Sequence, residues 1–495
     1  MTTTQPSATG PQLITYADRL GGDLRALDAL LTGPLAGAFD GVHVLPFYTP
    51  FDGADAGFDP RDHTAVDPRL GGWDDVRAIS ATHTVMADVI VNHMSAQSAQ
   101  FLDVVTRGDR SPWAGMFLTL SSVYPDGVTE EELAGIYRPR PGLPFTPMTL
   151  GGRRRLVWTT FTAEQVDLDV RDPLAWEYLT SVIDALTGAG VRMLRLDAVG
   201  YTGKEPGTDC FMTPSAHALT DRITAYAHEH GAQVLVEVHG HYRQQLEIAR
   251  QVDLVYDFAL PPLVLHALTA ADLGPLDRWL AVRPANCVTV LDTHDGIGVV
   301  DVGASDLVPG VPGLMEPDQI SALVDAIHAN SRGGSRQATG AAASNLDLYQ
   351  VNCTFYDALA ADDRRYLLAR LMQVLLPGIP QVYYVGLLAG SNDLDLLRRT
   401  GVGRDVNRHH YTADEVEREL ARPVVQAQLA VLRLRNRHPA FGGDFAWTLD
   451  GTAAEMTWQR GADRVALSFD VRDASFTLSA SDERGTQVLL AERSV

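Results

Sequence analysis

Cysteine is scarce in this sequence, and its number and spacing exclude two kinds of protein. Among 495 residues only Cys210, Cys287 and Cys353 are cysteines. A set that is odd in number and widely spaced predicts neither a disulfide framework nor a CxxC metal site. We expect neither a signal peptide nor a membrane span, and therefore a cytoplasmic location.

Basic residues are fewer than acidic ones, and long apolar runs are absent from the sequence. The chain has 40 Lys and Arg against 62 Asp and Glu, so its formal net charge is −22. Such a surface repels nucleic acid and anionic membranes, and we expect neither as a partner. No run of about 18 apolar residues is present for a membrane span. The first ten residues, MTTTQPSATG, are too polar to be a signal peptide.

Eight short apolar segments, rich in β-branched residues, recur along the chain. Amphipathic stretches follow most of them, and the clearest covers residues 172–190, with Asp172 as N-cap and Pro173 as first helical residue. This alternation predicts a parallel sheet buried on both faces. No GxGxxG follows the first segment, and eight units favour a (β/α)8 barrel over a doubly wound sheet. The predicted strands are 12–16, 41–47, 85–93, 191–197, 234–239, 254–260, 287–295 and 380–386.

Two intervals are too long for simple strand–helix units. About 95 residues, rich in Pro and Gly, separate the third and fourth segments, and about 84 separate the seventh and eighth. Long loops in compact enzymes are usually functional. After about residue 440, short alternating segments predict a small antiparallel β domain. The predicted divisions are the barrel at 1–90, 172–296 and 361–440, an inserted domain at 91–171, an inserted loop region at 297–360, and the C-terminal domain at 441–495.

The segment VRMLRLDAV carries charge near the end of an apolar strand. Because side chains alternate along a strand, Val191, Met193, Arg195 and Asp197 share one face. We expect Val191 and Met193 to fill the barrel interior and the charged pair to reach its carboxyl end. A structural ion pair between Arg195 and Asp197 is the alternative.

Two further segments repeat this pattern. VLVEV carries Glu237 near its end, and CVTVLDTHD ends in His294 and Asp295. A single acidic residue at a strand end is often a helix N-cap. Three on one barrel, however, would converge at its carboxyl end, where (β/α)8-barrel enzymes have their active sites. Retaining glycosyl transfer uses two carboxyl groups. An ionised nucleophile fits Asp197 beside Arg195, and an acid/base of raised pKa fits Glu237 in its apolar strand.

Four motifs resemble the signature regions of the α-amylase-type glycoside hydrolases. They are IVNH with His93, RLDAVG with Asp197, EVH with Glu237 and DTHDGIG with Asp295. Within that family the chain is most similar to the sucrose phosphorylases from about residue 12 to about residue 440. Residues 147–155 and the pair Gly240-His241 are less typical. The stretches that carry this resemblance are LITYADRLGGDL, HVLPFYTPFDGADAGFDPRDHTAVDPRLG, IYRPRPGLPFT, VYDFALPPLVLHAL, ATGAAASNLDLYQVN and GRDVNRHHY.

The resemblance implies transfer of a glucosyl group from sucrose to inorganic phosphate. The products would be α-D-glucose 1-phosphate and D-fructose, formed with retention through a covalent β-glucosyl-enzyme. It makes Asp197 the nucleophile, Glu237 the acid/base and Asp295 the transition-state stabiliser. Substrate-binding residues implied for the glucosyl unit are Asp55, Phe58, His93, Phe161, Arg195, His294 and Arg404, and those implied for the acceptor are Arg140, Asp347, Tyr349 and Gln350.

Other functions remain open at this stage. A related phosphorylase of sucrose 6′-phosphate, glucosylglycerol or glucosylglycerate would share the glucosyl site and differ in the acceptor loops. A hydrolase or sucrose isomerase would leave the loops YRPRPGLPFT and NLDLYQ without a task. A non-catalytic sugar-binding protein on the same barrel would typically lack one carboxylate. His93 and His294 could also be core histidines.

The resemblance also bears on metals and assembly. Related amylases often bind calcium near the position of Asn92, but no other residue supplies an obvious oxygen cage, so we predict no metal. No cofactor is expected, since phosphate is a co-substrate. The basic run Arg153 to Arg155 is interpreted as solvated. A homodimer formed through the inserted domain is the expected assembly.

Overall fold

A closed barrel of eight parallel strands forms the centre of the molecule. The computed structural model describes residues 10–492 except 51, 54, 139, 141, 306–309 and 340–349, so Asp347 and Tyr349 lie outside the described residues. Each barrel strand pairs with the strands before and after it in the chain, and the eighth closes on the first. All eight predicted strands are confirmed, as Gln12–Thr15, Gly41–Val44, Thr84–Ile90, Met193–Asp197, Gln233–Val236, Leu254–Asp257, Cys287–Thr289 and Ile379–Tyr383.

Alternate residues of these strands fill the barrel interior. Met193 pairs in register with Met86 and packs in a buried cluster with Leu235 and Tyr256. Val191 does not share this interior. It precedes the strand and packs in the larger cluster between barrel and helices, so its predicted position was wrong. The strand begins only at Met193, since the preceding helix ends in a turn at residues 189–190 and residues 191–192 lie outside the strand.

Helices surround the barrel, and the sequence specifies their ends locally. The Asp172 side chain accepts a hydrogen bond from the backbone N–H of Leu174 (2.8 Å), and Pro173 is the first helical residue, as predicted. Helices of seven residues or more outside the insertion are Leu24–Thr32, Trp73–Ser80, Pro173–Gly188, Pro214–Glu229, Tyr242–Ile248, Leu260–Ala270, Gly274–Leu280, Pro317–Asn330, Asp363–Leu375, Leu394–Thr400, Ala413–Leu420 and Pro423–Arg437.

The segment between the third and fourth barrel strands contains more regular structure than its Pro and Gly content predicted. Strands Phe145–Leu150 and Arg153–Trp158 form an antiparallel hairpin, and His93–Ser95 pairs with Gln165–Asp167. Arg153 contacts Asp109 at the surface (3.4 Å), in keeping with a solvated basic run. Its helices are Ala99–Arg107, Leu120–Val123 and Glu130–Gly135.

The segment after the seventh barrel strand contributes one short strand pair. Ile297–Gly298 runs antiparallel to Gln350–Val351, which places Gln350 beside the carboxyl end of the barrel. None of the helices in the described part of the chain is long and apolar enough to cross a membrane.

The C-terminal part is a five-stranded antiparallel sheet, as the alternating segments predicted. Its inner face packs on the barrel side, where the Trp458 indole donates to the Leu375 carbonyl (2.6 Å) and the Trp447 indole to the Asp277 carboxylate (2.8 Å). The strands are Asp444–Asp450, Ala453–Arg460, Asp463–Asp470, Ser475–Asp482 and Gly485–Glu492.

Candidate active site

One arginine joins the two carboxyl groups that follow the fourth and fifth barrel strands. Arg195 Nη1 lies 2.9 Å from Asp197 Oδ1, and Arg195 Nη2 lies 3.5 Å from Glu237 Oε1. Ala198, in the left-handed conformation (φ 55°), donates its backbone N–H to Glu237 Oε2 (3.3 Å). The site therefore holds a pair of carboxyl groups on a shared, buried cation.

Asp88 is a charged member of the site that the sequence analysis missed. It lies in register with Arg195 on the neighbouring strand, with Arg195 Nη1 2.5 Å from its Oδ1 and His43 Nε2 3.0 Å from its Oδ2. Burial alone would raise the pKa of Asp88, but His43 and Arg195 lower it to about 2. The available signal was a carboxylate in the middle of the apolar segment VMADVIVNH.

The electrostatics of Asp197 differ in part from the expectation. Arg195 does favour the ionised form, as predicted. Burial is the larger influence, however, and together with repulsion from Glu237 it raises the pKa of Asp197 well above its usual range. The net effect of the surroundings therefore disfavours the ionised form of Asp197, although Arg195 opposes that effect.

The pKa of Asp295 is shifted in the opposite direction to that of Asp197. Arg404 Nη1 lies 2.7 Å from its Oδ1, and the fully buried Arg408 has Nη2 at 3.9 Å and donates from Nε to the His294 carbonyl (2.9 Å). Burial alone would raise the pKa of Asp295, but the Arg404 and Arg408 guanidinium groups hold it far below its usual range. Arg408 is a site residue that was not predicted, although GRDVNRHH places it four residues after Arg404.

The residues predicted to hold a glucosyl unit form one continuous wall. The Phe58 ring stacks on His294 (centroids 4.8 Å apart, 7° between planes), and His93 meets Phe161 edge to face (5.4 Å). Burial lowers the pKa of both histidines, so the rings are neutral. Nδ1 of each ring is buried without a hydrogen-bond partner among the described residues, which leaves a polar atom available to a bound sugar.

Asp55 completes this wall at its polar edge. It accepts a hydrogen bond from the Gln165 amide (2.7 Å) and lies 3.8 Å from Arg404 Nη1. Gln165 is a further residue that the sequence analysis missed, since it comes from the insertion.

Gln350 and Arg140 are the two predicted acceptor-binding residues that the structure describes. Gln350 Oε1 accepts from the Gly296 backbone N–H (3.2 Å), and its Nε2 lies 3.4 Å from His239 Nε2. Arg140 is exposed, and its pKa is lowered by partial desolvation and by repulsion from Arg404. Asp347 and Tyr349, also predicted here, lie outside the described residues.

An oxygen cage does surround Asn92, contrary to the expectation, and a lysine occupies it. Lys204 Nζ lies 2.8 Å from Asp167 Oδ2, 3.1 Å from Thr160 Oγ1 and 3.4 Å from Asn92 Oδ1, and it donates to the Tyr201 carbonyl. The ammonium supplies the positive charge that these oxygens would otherwise draw from a metal ion. Sequence reasoning could not place Lys204, because it lies more than 100 residues after Asn92.

One other group of side chains has spacing that a metal ion could use. Ligand atoms of Glu237, His239 and Asp295 lie within 4.8 Å of one another. Arg195 and Arg404 already contact two of these three groups, which makes a further cation there electrostatically unfavourable. The expectation of a metal-free site stays a prediction.

A closed (β/α)8 barrel with carboxylates after its fourth, fifth and seventh strands defines a glycoside-processing enzyme of the α-amylase type. The α-amylase catalytic domain family matches residues 36–252. Sucrose phosphorylase from Bifidobacterium adolescentis is 54% identical over 93% of this chain and 92% of its own length. Sucrose phosphorylase from Agrobacterium vitis is 52% identical over 95% and 96%.

A solved structure agrees with these relatives. The crystal structure of sucrose 6F-phosphate phosphorylase from Thermoanaerobacter thermosaccharolyticum superposes with a TM-score of 0.90 at 35% identity, covering 98% of this chain and 99% of that one. The chain belongs to the sucrose phosphorylase group of the α-amylase family, and it is a glycosyltransferase of the phosphorylase type.

Proposed function

We propose that this enzyme transfers the glucosyl group of sucrose to inorganic phosphate, giving α-D-glucose 1-phosphate and D-fructose with retention of configuration. The observation that carries the proposal is the Arg195 guanidinium, which holds Asp197 and Glu237 as one carboxyl pair at the carboxyl end of the barrel. Identity of 54% and 52% to two sucrose phosphorylases supports the choice of sucrose and phosphate as substrates.

In the first half-reaction, Asp197 is the nucleophile and Glu237 the acid. An Asp197 oxygen forms a bond to the anomeric carbon, the glycosidic bond breaks, and the proton on Glu237 moves to the departing fructosyl oxygen. The pair must begin with one proton, and the raised pKa of Asp197 is in keeping with a site that disfavours two ionised carboxyl groups. Substrate binding must leave that proton on Glu237, so that Asp197 is free to attack.

In the second half-reaction, phosphate replaces fructose. A hydrogen phosphate oxygen bonds to the anomeric carbon, the bond from that carbon to Asp197 breaks with its electron pair returning to the carboxylate, and the phosphate proton moves to Glu237. Charge and protons balance, and the enzyme returns to its starting state. No metal ion or organic cofactor takes part.

The third carboxylate stabilises the charge that develops in both half-reactions. Asp295 is ionised and held by Arg404, so it presents negative charge to an oxocarbenium-like sugar. The neutral rings of His93 and His294 offer hydrogen bonds to hydroxyl groups, and Phe58 offers an apolar surface. Arg140, Gln350, Asp347 and Tyr349 are proposed to bind the acceptor.

Product analysis with and without phosphate tests the proposal. The enzyme is incubated with sucrose in phosphate and in a phosphate-free buffer, with an Asp197→Asn variant as matched control. We expect glucose 1-phosphate only where phosphate and active enzyme are both present, and fructose should be released much faster there than in the phosphate-free buffer. Free glucose released at the same rate in both buffers would identify a hydrolase instead.

The same assay separates the related phosphorylases. Sucrose 6′-phosphate, glucosylglycerol and glucosylglycerate are supplied in place of sucrose, each with phosphate. Sucrose should give the highest kcat/KM, because the acceptor-loop sequence SNLDLYQ supplies no basic residue for a second phosphate group. A higher kcat/KM for any of the other three compounds would show that this compound, and not sucrose, is the preferred glucosyl donor.

A further inference from the structure

Asp301 is a fully buried carboxylate that binds three donors from the segment after the fifth barrel strand. It lies in the short helical turn Val300–Val302 that follows the seventh barrel strand. Its Oδ2 accepts from His239 Nδ1 (3.0 Å), and its Oδ1 accepts from the Gly240 backbone N–H (3.1 Å) and the Gln245 amide (3.1 Å). Asp301 therefore joins two neighbouring loops at the carboxyl end of the barrel.

This arrangement determines which nitrogen of His239 faces the active site. Since Nδ1 donates to Asp301, Nε2 faces the pocket, 3.7 Å from Glu237 Oε1 and 3.4 Å from Gln350 Nε2. The ring also stacks on Phe258 (centroids 3.9 Å apart, 15° between planes), so its plane is held as well. His239 thus lies between the acid/base carboxyl and a predicted acceptor residue.

The charge around the ring supports a donor at Nε2. Burial alone would lower the pKa of His239, but Asp301 outweighs it, and Glu237 and Asp295 add to the same effect, so the pKa is raised. Nδ1 donates to Asp301 in both the neutral and the protonated ring, so the raised pKa favours an additional proton on Nε2, which faces the acceptor pocket.

We propose that Asp301 is a positioning residue that acts through His239 to favour phosphate over water as the acceptor. Phosphate is a dianion and gains from a charged donor, whereas water is neutral and gains much less. In the second half-reaction the attacking oxygen must approach Glu237, and His239 Nε2 lies 3.7 Å from Glu237 Oε1. The proposal rests on the proposed function.

The test compares the two acceptors in one preparation of enzyme. Asp301→Asn keeps the size of the side chain and removes its charge. We expect the KM for phosphate to rise about tenfold. The rate of glucose release without phosphate should change much less, so the ratio of glucose 1-phosphate to glucose falls. A purely structural role would instead lower both rates by the same factor.

Two further variants complete the design. His239→Gln should shift the product ratio in the same direction, and adding Asp301→Asn to it should have no further effect on the ratio, because both act on one group. If His239→Gln leaves the product ratio unchanged, the proposal is wrong even where Asp301→Asn fails to fold. An unchanged phosphate KM in a folded Asp301→Asn enzyme overturns it too.

The outcome for wild-type enzyme separates this proposal from the function on which it rests. If wild-type enzyme makes no glucose 1-phosphate from sucrose, the proposed function fails. If wild-type enzyme makes it and Asp301→Asn keeps the same product ratio, only the role of Asp301 fails.

Discussion

Arg195 Nη1 lies 2.9 Å from Asp197 Oδ1, and the two residues are two positions apart on one face of a single strand. The pair is buried at the carboxyl end of the barrel, where Asp197 has a raised pKa despite its arginine. A buried carboxyl group of this kind is costly when ionised, and a cost that persists in a fold is often linked to function.

Replacing the proposed nucleophile should abolish activity without loss of stability. In Asp197→Asn we expect sucrose phosphorolysis and hydrolysis to fall by at least about 10³-fold, since no covalent intermediate can form. The melting temperature at pH 8 should be unchanged or higher, because the amide avoids the buried charge. Asp395→Asn, at an exposed helix position, is the matched control. Activity near the wild-type level in Asp197→Asn would contradict the mechanism.

Removing the cation beside Asp295 should weaken transition-state stabilisation. We expect Arg404→Met to lower kcat/KM for sucrose by about 10²–10³-fold, because Arg404 keeps Asp295 ionised and also lies near Asp55. Arg398→Met, which removes an exposed arginine from the helix Leu394–Thr400, should have little effect. Steady-state kinetics of both variants measure kcat/KM for sucrose. Equal kcat/KM values for the two variants would refute the role of Arg404.

Asp59 should make stability depend on pH. Burial, with repulsion from Asp55, raises its pKa from 3.8 to about 6 in the folded state. The folded protein then binds more protons than the unfolded chain, so Asp59 lowers stability as the pH rises from about 4 to about 6. Above that range the penalty is constant, on the order of 3 kcal/mol at most.

Melting curves of wild type and Asp59→Asn between pH 4 and pH 8 measure this effect. The variant should be the more stable protein at pH 8, and the difference should become small near pH 4, where Asp59 is protonated in the folded protein and about half protonated in the unfolded chain. A difference in melting temperature that does not change with pH would show that Asp59 does not titrate in this window.

The lysine in the oxygen cage should stabilise the fold. Lys204→Met leaves the buried Asp167 carboxylate without its cation, and we expect the free energy of unfolding to fall by about 3–5 kcal/mol. The double variant Lys204→Met/Asp167→Asn should recover part of that loss. Urea unfolding measures all three proteins, and a Lys204→Met variant as stable as the wild type would refute the prediction.

The same cage predicts that chelators have no effect on the enzyme. Because the Lys204 ammonium already supplies the positive charge, dialysis of the wild type against EDTA should leave both activity and melting temperature unchanged. Loss of activity that added Ca²⁺ restores would reveal a metal requirement.

Much of this molecule could be predicted from its sequence. The eight strands could be located because each is a short apolar run between turn residues, and the alternation of side chains places Arg195 and Asp197 on one face. Motifs around Asp197, Glu237 and Asp295 identified the family, and the comparisons confirm it. These signals lie within a few residues of one another, so they can be read directly from the chain.

The remaining features depend on contacts between distant parts of the chain. Asp88 reaches Arg195 across 107 residues, and Lys204 reaches Asn92 across 112. Closure of the barrel and folding of the insertion bring these groups together, and no local pattern specifies either contact. The direction in which the pKa of Asp197 shifts likewise depends on how deeply the closed barrel buries its carboxyl group.

The sequence by itself thus determined the barrel, the family and the three carboxylates, because strand periodicity and signature motifs are local properties. Only the tertiary structure decided which charges are shared, as with Asp301 and His239, which are 62 residues apart. Electrostatic free energy depends on distance and on burial, and folding alone establishes both.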